Sequence, residues 1–293
     1  MRSIARRHPL AVFLTIAYTA SAVIFSIPLL ANTGLGILDL DLPGTAPFIL
    51  LSALSLAGAA FITTALAEGR DGVRRFRRRV FHFRVKPGWY AVGLTLLPAT
   101  ALAAVWVIAG IDPIMKLIAG PGILVGVVLG ALVAFLLVNW WEEAAWSGFA
   151  LERLQAGMGP ISASVVTTWL QALIHVPLVF VAGGVTDGRV AADQIPFYLV
   201  ALFVLPIPVR IVLTWLYNST GRSVPIVGIY HAGLGVAAGT GFIPVLAPGV
   251  DPVVVYAGFA VLAAVVLIAT RGRLGFEARE AAQQTRSEVA LAS

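Results

Sequence analysis

Eight stretches of this chain are each long and apolar enough to cross a bilayer, at roughly 9–31, 46–67, 88–110, 121–147, 161–183, 195–217, 223–246 and 252–270. About 20 apolar residues wound as an α-helix cross the hydrocarbon core. In lipid every backbone N–H and C=O must be satisfied inside its own segment, which favours helices. Composition points the same way. Of 293 residues, 59% are hydrophobic and 12% charged, whereas soluble domains carry roughly 25% charged residues. Too little charge is left to coat a water-soluble globule of this size. The short alternating segments of an outer-membrane barrel are missing. Cysteine is absent, which excludes disulfides, thiolate metal sites and a cysteine nucleophile. The expected fold is all-α, a polytopic membrane protein of eight transmembrane helices in one membrane domain over 1–293. A polar tail at 272–293 lies in the cytosol. No internal repeat or separate soluble domain is legible.

The loops give the orientation. With the N-terminus inside, the cytoplasmic segments hold Arg2, Arg6 and Arg7, then Arg70, Arg74, Arg75, Arg77, Arg78, Arg79, Arg84 and Lys86. Arg153, Arg222, Arg271, Arg273, Arg279 and Arg286 follow, making seventeen of the 20 Lys and Arg residues. The outer loops keep Lys116 and Arg189 against Asp39, Asp41, Asp112, Asp187, Asp193 and Asp251. Positive charge stays on the cytoplasmic side of short loops, so both termini are expected inside. The first span is too long for a signal-peptide core. The stretch 69–87 reads as a basic loop that fixes topology and attracts anionic headgroups; nucleic acid is not an expected partner. Eighteen Arg against two Lys suggests a GC-rich bacterial genome, hence a multi-pass protein of a bacterial plasma membrane.

Ionisable groups at membrane depth are costly, and each is a candidate site. Five stand out. Glu142 and Glu143 lie late in span four, His175 in span five, Arg210 in span six and His231 in span seven, beside Tyr230. His8 and His82 flank spans in basic stretches. In span five, Ser164, Thr168, Gln171 and His175 follow at spacings that put them on one helical face. In span four, Asn139, Glu142, Glu143 and Trp146 share a side, with Ser147 a turn beyond Glu143. Span seven is rich in small residues (Gly228, Gly233, Gly235, Gly239, Gly241), which allow close helix contact. Two carboxylates and two histidines on helices that can converge suit hydrolysis. A Glu can take a proton from water, and a His can hold a metal or stabilise an oxyanion. The soluble H-E-x-x-H zinc motif is absent.

The run from Glu142 to Leu154, Glu-Glu-Ala-Ala-Trp-Ser-Gly-Phe-Ala-Leu-Glu-Arg-Leu, resembles the first motif of the CPBP intramembrane protease family. That family includes CAAX prenyl endopeptidases and bacteriocin-processing and immunity proteins. Ile174-His175-Val176-Pro177 resembles its second motif. Thr214 to Gly221, followed by Ser223 to His231-Ala232, resembles its third. The resemblance covers about 135–240, and the eight-span pattern suits it. It implies a protease acting within the membrane, in which Glu142 and His175 activate the attacking water. His231 would stabilise the oxyanion. Glu142, His175 and His231 would be the ligands if a metal, zinc, is used; otherwise there is no cofactor. Glu143 would support the site through charge pairing.

Three positions depart from the family pattern. The motif-one Arg is Ser147 here, the Phe before the second-motif His is Gln171, and the Asn after the third-motif His is Gly235. Arg210 is expected to pair with Glu143 in place of the missing Arg, and Gln171 or Asn139 to supply the missing amide. The expected activity is endopeptidase cleavage of a membrane-associated peptide or protein tail. Two other readings stay open. One is a catalytically degenerate member acting as a scaffold or immunity partner in the bilayer. The other is a proton-coupled transporter with a Glu/His relay, which would show broken helices at the midplane; Pro206 and Pro208 are the strongest such break.

Overall fold

The computed structural model describes residues 2–186, 188–238, 246–250 and 252–276. Asp187, Asp251, Gly239, Gly241, Arg279, Arg286 and the tail beyond 276 lie outside the described residues. Among the described residues there are helices and no strands. They are α1 (Arg2–Arg7), α2 (Pro9–Leu30), α3 (Ala46–Val80), α4 (Pro87–Ala109), α5 (Asp112–Ala119), α6 (Pro121–Ala134), α7 (Trp140–Ala145), α8 (Glu152–Met158), α9 (Pro160–His175), α10 (Ile195–Val204), α11 (Pro206–Ser219), α12 (Val224–Ala238) and α13 (Pro252–Ala269). Proline stands in the first turn of α2, α4, α6, α9 and α11, where its missing N–H would have had no intrahelical partner.

Six helical segments are long and apolar enough to cross a membrane: Pro9–Leu30, Ala46–Val80, Pro87–Ala109, Val128–Met158, Pro160–Phe180 and Ile195–Ser219. Two shorter apolar helices, Val224–Gly235 and Val253–Ala269, fall where the seventh and eighth spans are expected. The chain therefore has the build of a polytopic membrane protein.

Two expectations need correction. The basic stretch 69–87 is not a loop throughout. Helix α3 runs on to Val80, with one non-helical residue at Gly69 (φ 69°) that bends the basic turn away from the apolar part. Only 81–86 is non-helical. Span four is likewise not a uniform α-helix. From Pro121 to Met158 the chain stays helical, but it widens into π turns at Phe135–Asn139 and Trp146–Leu151. A π turn holds more residues than an α turn and shifts the phase of the residues beyond it. The two π turns bracket Trp140–Ala145, the segment carrying both glutamates.

Polar contacts sort the connections to the two ends of the bundle. At one end Asn32 Nδ2 bonds Asp39 and Asp41 (3.2 and 2.9 Å), Ala182 N donates to Thr33 O (2.8 Å) and Thr45 Oγ1 donates to Gly183 O (2.6 Å). At the other end Glu152 meets Arg222 (2.8 Å), Arg79 (3.8 Å) and the Tyr217 hydroxyl (3.1 Å). Glu68 pairs there with Arg75 (3.1 Å) and with Arg153. Asn218 Nδ2 donates to Leu274 O (3.0 Å), tying the end of α13 to the same side. The loops expected inside thus share one end, and two of those expected outside share the other.

Helix α12 is the packing hub, in contact with α4, α6, α7 and α11. Gly228 makes this possible. A methyl group there would lie 3.0 Å from Trp140 Cα and 3.2 Å from the Phe135 ring, so α12 rests almost directly on the backbone two residues before Glu142. Helix α11 lies against α9 and α13, and α3 against α2 and α7.

Candidate active site

Glu142 and Glu143 lie on α7 about 15 Å from the Glu152 end, counting 1.5 Å per residue. The same rise puts Arg210 about 14 Å from Ser219, where α11 ends, and His175, at the last turn of α9, about 22 Å from Pro160. In a hydrocarbon core about 30 Å thick, these groups fall at mid-depth. Glu143 is 0% exposed, Arg210 3% and Glu142 5%. A lone buried charge carries a desolvation penalty of several kcal/mol, so the partners matter.

Glu143 is held on several sides. Arg210 grips it with a two-pronged fork, Nη1 to Oε2 at 2.8 Å and Nη2 to Oε1 at 3.0 Å. The Ser147 hydroxyl donates to the same Oε2 from one turn on and also lies 3.2 Å from Arg210 Nη1. His231 Nδ1 lies 2.8 Å from Oε1 without the alignment of a hydrogen bond. The expected pairing of Arg210 with Glu143 is present. Serine suits position 147 because Arg210 enters from α11 and occupies the space that a long side chain there would need.

Gln171 joins the two glutamates. Its Oε1 accepts from Arg210 Nη2, and its Nε2 reaches Glu142 Oε2 at 3.5 Å. An amide carries an acceptor at one end and a donor at the other, so the Arg210 contact turns the NH2 end toward Glu142. Asn139, the other residue expected to supply an amide, makes no side-chain hydrogen bond to this group among the described residues. It is the last residue of the π turn Phe135–Asn139, next to the start of α7.

His175 faces Glu142, with Nε2 3.8 Å from Oε1. Its Nδ1 lies 3.0 Å from the Gln171 carbonyl. A carbonyl only accepts, so Nδ1 carries a proton, and Nε2 is the ring nitrogen turned to the carboxylate. The span-five stripe holds together as well. Ser164 Oγ bonds Thr214 Oγ1 on α11 at 2.6 Å, and Thr168, Gln171 and His175 continue along one cleft.

That cleft, about 170 Å³, is lined by Thr168, Gln171, His175, Arg210 and His231 on its polar side. Ala172, Leu202, Pro206, Val209, Leu213 and Leu234 form its apolar wall. The apolar wall was not read from the sequence, because nothing distinguishes those residues from lipid-facing ones. Pro206 carried a signal. The helix breaks at Leu205 between α10 and α11, and Arg210 sits one turn past that break. Gly235, where the motif resemblance would put Asn, has nothing within 4 Å of the position a Cβ would take.

The donors do not assemble as metal ligands. Among the described residues, no three of His, Asp and Glu are grouped to hold an ion. Glu142 and His175 converge, but His231 turns Nδ1 toward Glu143, whose oxygens are taken by Arg210 and Ser147.

Residues 124–237 match the family described as Rce1-like, type II CAAX prenyl endopeptidase. Over 100 residues the chain is 28% identical to the CAAX prenyl protease 2 of Methanococcus maripaludis, an overlap of 34% of this chain and 36% of the relative. The match thus spans about a third of that relative's length. The family match covers the segment bearing Glu142, Glu143, His175, Arg210 and His231, so residues 124–237 are similar to Rce1-like proteins.

Proposed function

We propose that the chain is an intramembrane endopeptidase that hydrolyses a peptide bond in a membrane-associated peptide or protein tail. The observation that carries this reading is the Glu142–His175 pair. The His175 imidazole, half-buried at the edge of a largely apolar cleft, turns Nε2 to the buried Glu142 carboxylate behind it at 3.8 Å. With the ring in its Nδ1–H tautomer, the two groups at that spacing can share one water molecule lying about 2.8 Å from each.

In the proposed reaction Glu142 accepts a proton from this water as its oxygen bonds to the scissile carbonyl carbon. The carbonyl π electrons move to oxygen, and His231, on the same cleft, donates a hydrogen bond to that oxyanion. The proton held by Glu142 then passes to the amide nitrogen as the C–N bond breaks, leaving an amine and a carboxylic acid. His175, its tautomer set by the Gln171 carbonyl, orients the water. Glu143, under the Arg210 fork, orders Arg210, Ser147 and His231. Because the donor set is not gathered around one point, no step is routed through zinc.

The relative's name makes a prenylated C-terminal tail the first substrate to try. The apolar wall of Leu202, Val209, Leu213 and Leu234 would suit a lipid-bearing or hydrophobic tail. Eight crossings with both termini in the cytosol fit the sorting of loops to the two ends, and the arginine-rich composition suits a bacterial plasma membrane. The test is cleavage of fluorogenic tail peptides, with and without a prenyl group, by detergent-purified protein. Glu142→Gln should abolish cleavage while leaving the thermal midpoint within a few degrees. Cleavage that survives Glu142→Gln would refute the assignment.

A further inference from the structure

The end of α3 and the six residues after it build a second site, apart from the cleft. Arg77, Arg78, Phe81, His82, Phe83 and Arg84 surround one open cradle. Its backbone is fixed at several points. Trp140 Nε1 donates to Val80 O (2.8 Å), Ser223 Oγ to His82 O (2.6 Å) and Tyr90 Oη to Phe83 O (2.6 Å). His82 Nδ1 lies 3.1 Å from Gly221 O. The rings of Phe81 and Phe83 both rest edge-on against Trp140, at 5.2 and 5.3 Å between centroids.

The charges at this end divide into two groups. Arg75, Arg79, Arg153 and Arg222 share Glu68 and Glu152. Arg77, Arg78 and Arg84, on the cradle, have no carboxylate within 4 Å among the described residues. Beside them two phenylalanines stay exposed, Phe81 at 46% and Phe83 at 40%. Exposed aromatic rings on a membrane protein belong at the boundary between acyl chains and headgroups. Three unpaired guanidinium groups next to apolar rings, on a fixed backbone at that depth, match the anatomy of one lipid class. Guanidinium forks bind phosphate oxygens, and the rings would carry the start of an acyl chain.

We propose that this cradle binds the phosphate headgroup of an anionic phospholipid as a discrete site, with its acyl chain lying on Phe81 and Phe83. Diffuse attraction to an anionic leaflet would depend only on the number of nearby charges. A discrete site depends on which arginines are present. Arg70 and Arg74, exposed on the same basic turn but off the cradle, provide the control.

The experiment uses the full chain in detergent, with native mass spectrometry counting phosphatidylglycerol retained against phosphatidylcholine. The wild type should keep one phosphatidylglycerol. R77Q/R84Q should reduce its retention about tenfold, and F81S/F83S should weaken it with all charges in place. R70Q/R74Q, which removes the same charge, should leave it unchanged. All variants are first checked for wild-type helix content and thermal midpoint. Equal loss from the two arginine pairs would overturn the proposal in favour of diffuse charge. No loss from either would also overturn it, as would equal retention of phosphatidylcholine. Displacement of the lipid by millimolar inorganic phosphate would overturn the lipid assignment.

Discussion

Removing the Arg210 guanidinium tests the best-defined interaction in the membrane interior. Arg210 donates to Glu143 twice, to Ser147 and to Gln171. Arg210→Met keeps most of the side-chain volume and removes every one of these donors. Glu143, 0% exposed, would be left with the Ser147 hydroxyl and His231. Breaking a buried ion pair by deleting one partner costs about 3–5 kcal/mol, mostly the penalty of a charge with no counter-ion. Since the charge then has no reason to remain, Glu143→Gln in the same chain should recover part of the loss. The expected coupling between the two sites is about 2 kcal/mol, within the range for contacting residues. Arg210→Lys keeps the charge but loses the fork, and should fall between wild type and Arg210→Met. The assay is reversible unfolding in mixed micelles followed by tryptophan fluorescence, at low and high salt. The loss should be nearly independent of salt, because the pair is sealed from solvent. Additive effects of Arg210→Met and Glu143→Gln would refute the reasoning, as would a single-variant loss below about 1 kcal/mol, the ceiling for an exposed pair.

Other substitutions probe neighbouring parts of the same design. Ser147→Arg alone should destabilise the fold, because Ser147 is fully buried beside Arg210; the exchange S147R/R210S, which moves the cation to the π turn after α7, should recover stability, as read by thermal midpoint. Gln171→Leu should lower kcat more than it raises KM for a cleaved tail peptide, since it removes the amide that orients Glu142 without touching the apolar wall. Gly235→Asn should leave the thermal midpoint unchanged, because its Cβ meets open space, and should raise kcat if an amide there adds a donor for the oxyanion. Gly228→Leu should cost several kcal/mol in the same unfolding assay and reduce activity, because its side chain would displace Trp140 next to Glu142.

Much of this was legible in the sequence, because scarce charge in a membrane chain is informative. The helices, and the five ionisable residues at depth, follow from apolar length and from the cost of burying charge. Arg210 could be matched to Glu143 in advance, since a buried carboxylate that lacks its usual partner needs another. The span-five stripe from Ser164 to His175 was readable from a regular helical period, because α9 is a regular helix there. The same logic failed on span four. The π turns at Phe135–Asn139 and Trp146–Leu151 leave no mark in a 3.6-residue pattern. The basic stretch 69–87 was read as a loop from its charge, yet charge does not oppose a helix, and α3 continues to Val80. Whether Glu142, His175 and His231 could share an ion, if one is used, turns on where His231 points. Its Nδ1 toward Glu143 is a tertiary fact that no spacing encodes.

The central claim is that Glu142, poised against His175, activates water for peptide hydrolysis. It is tested most directly by cleavage of a tail-peptide library in proteoliposomes, run in water enriched in oxygen-18, with wild type, Glu142→Gln and His175→Ala. The expected result is one oxygen-18 atom in the new carboxyl terminus, present with wild type, absent with Glu142→Gln and reduced at least about a hundredfold with His175→Ala. Undiminished oxygen-18 incorporation by correctly folded Glu142→Gln protein would contradict it.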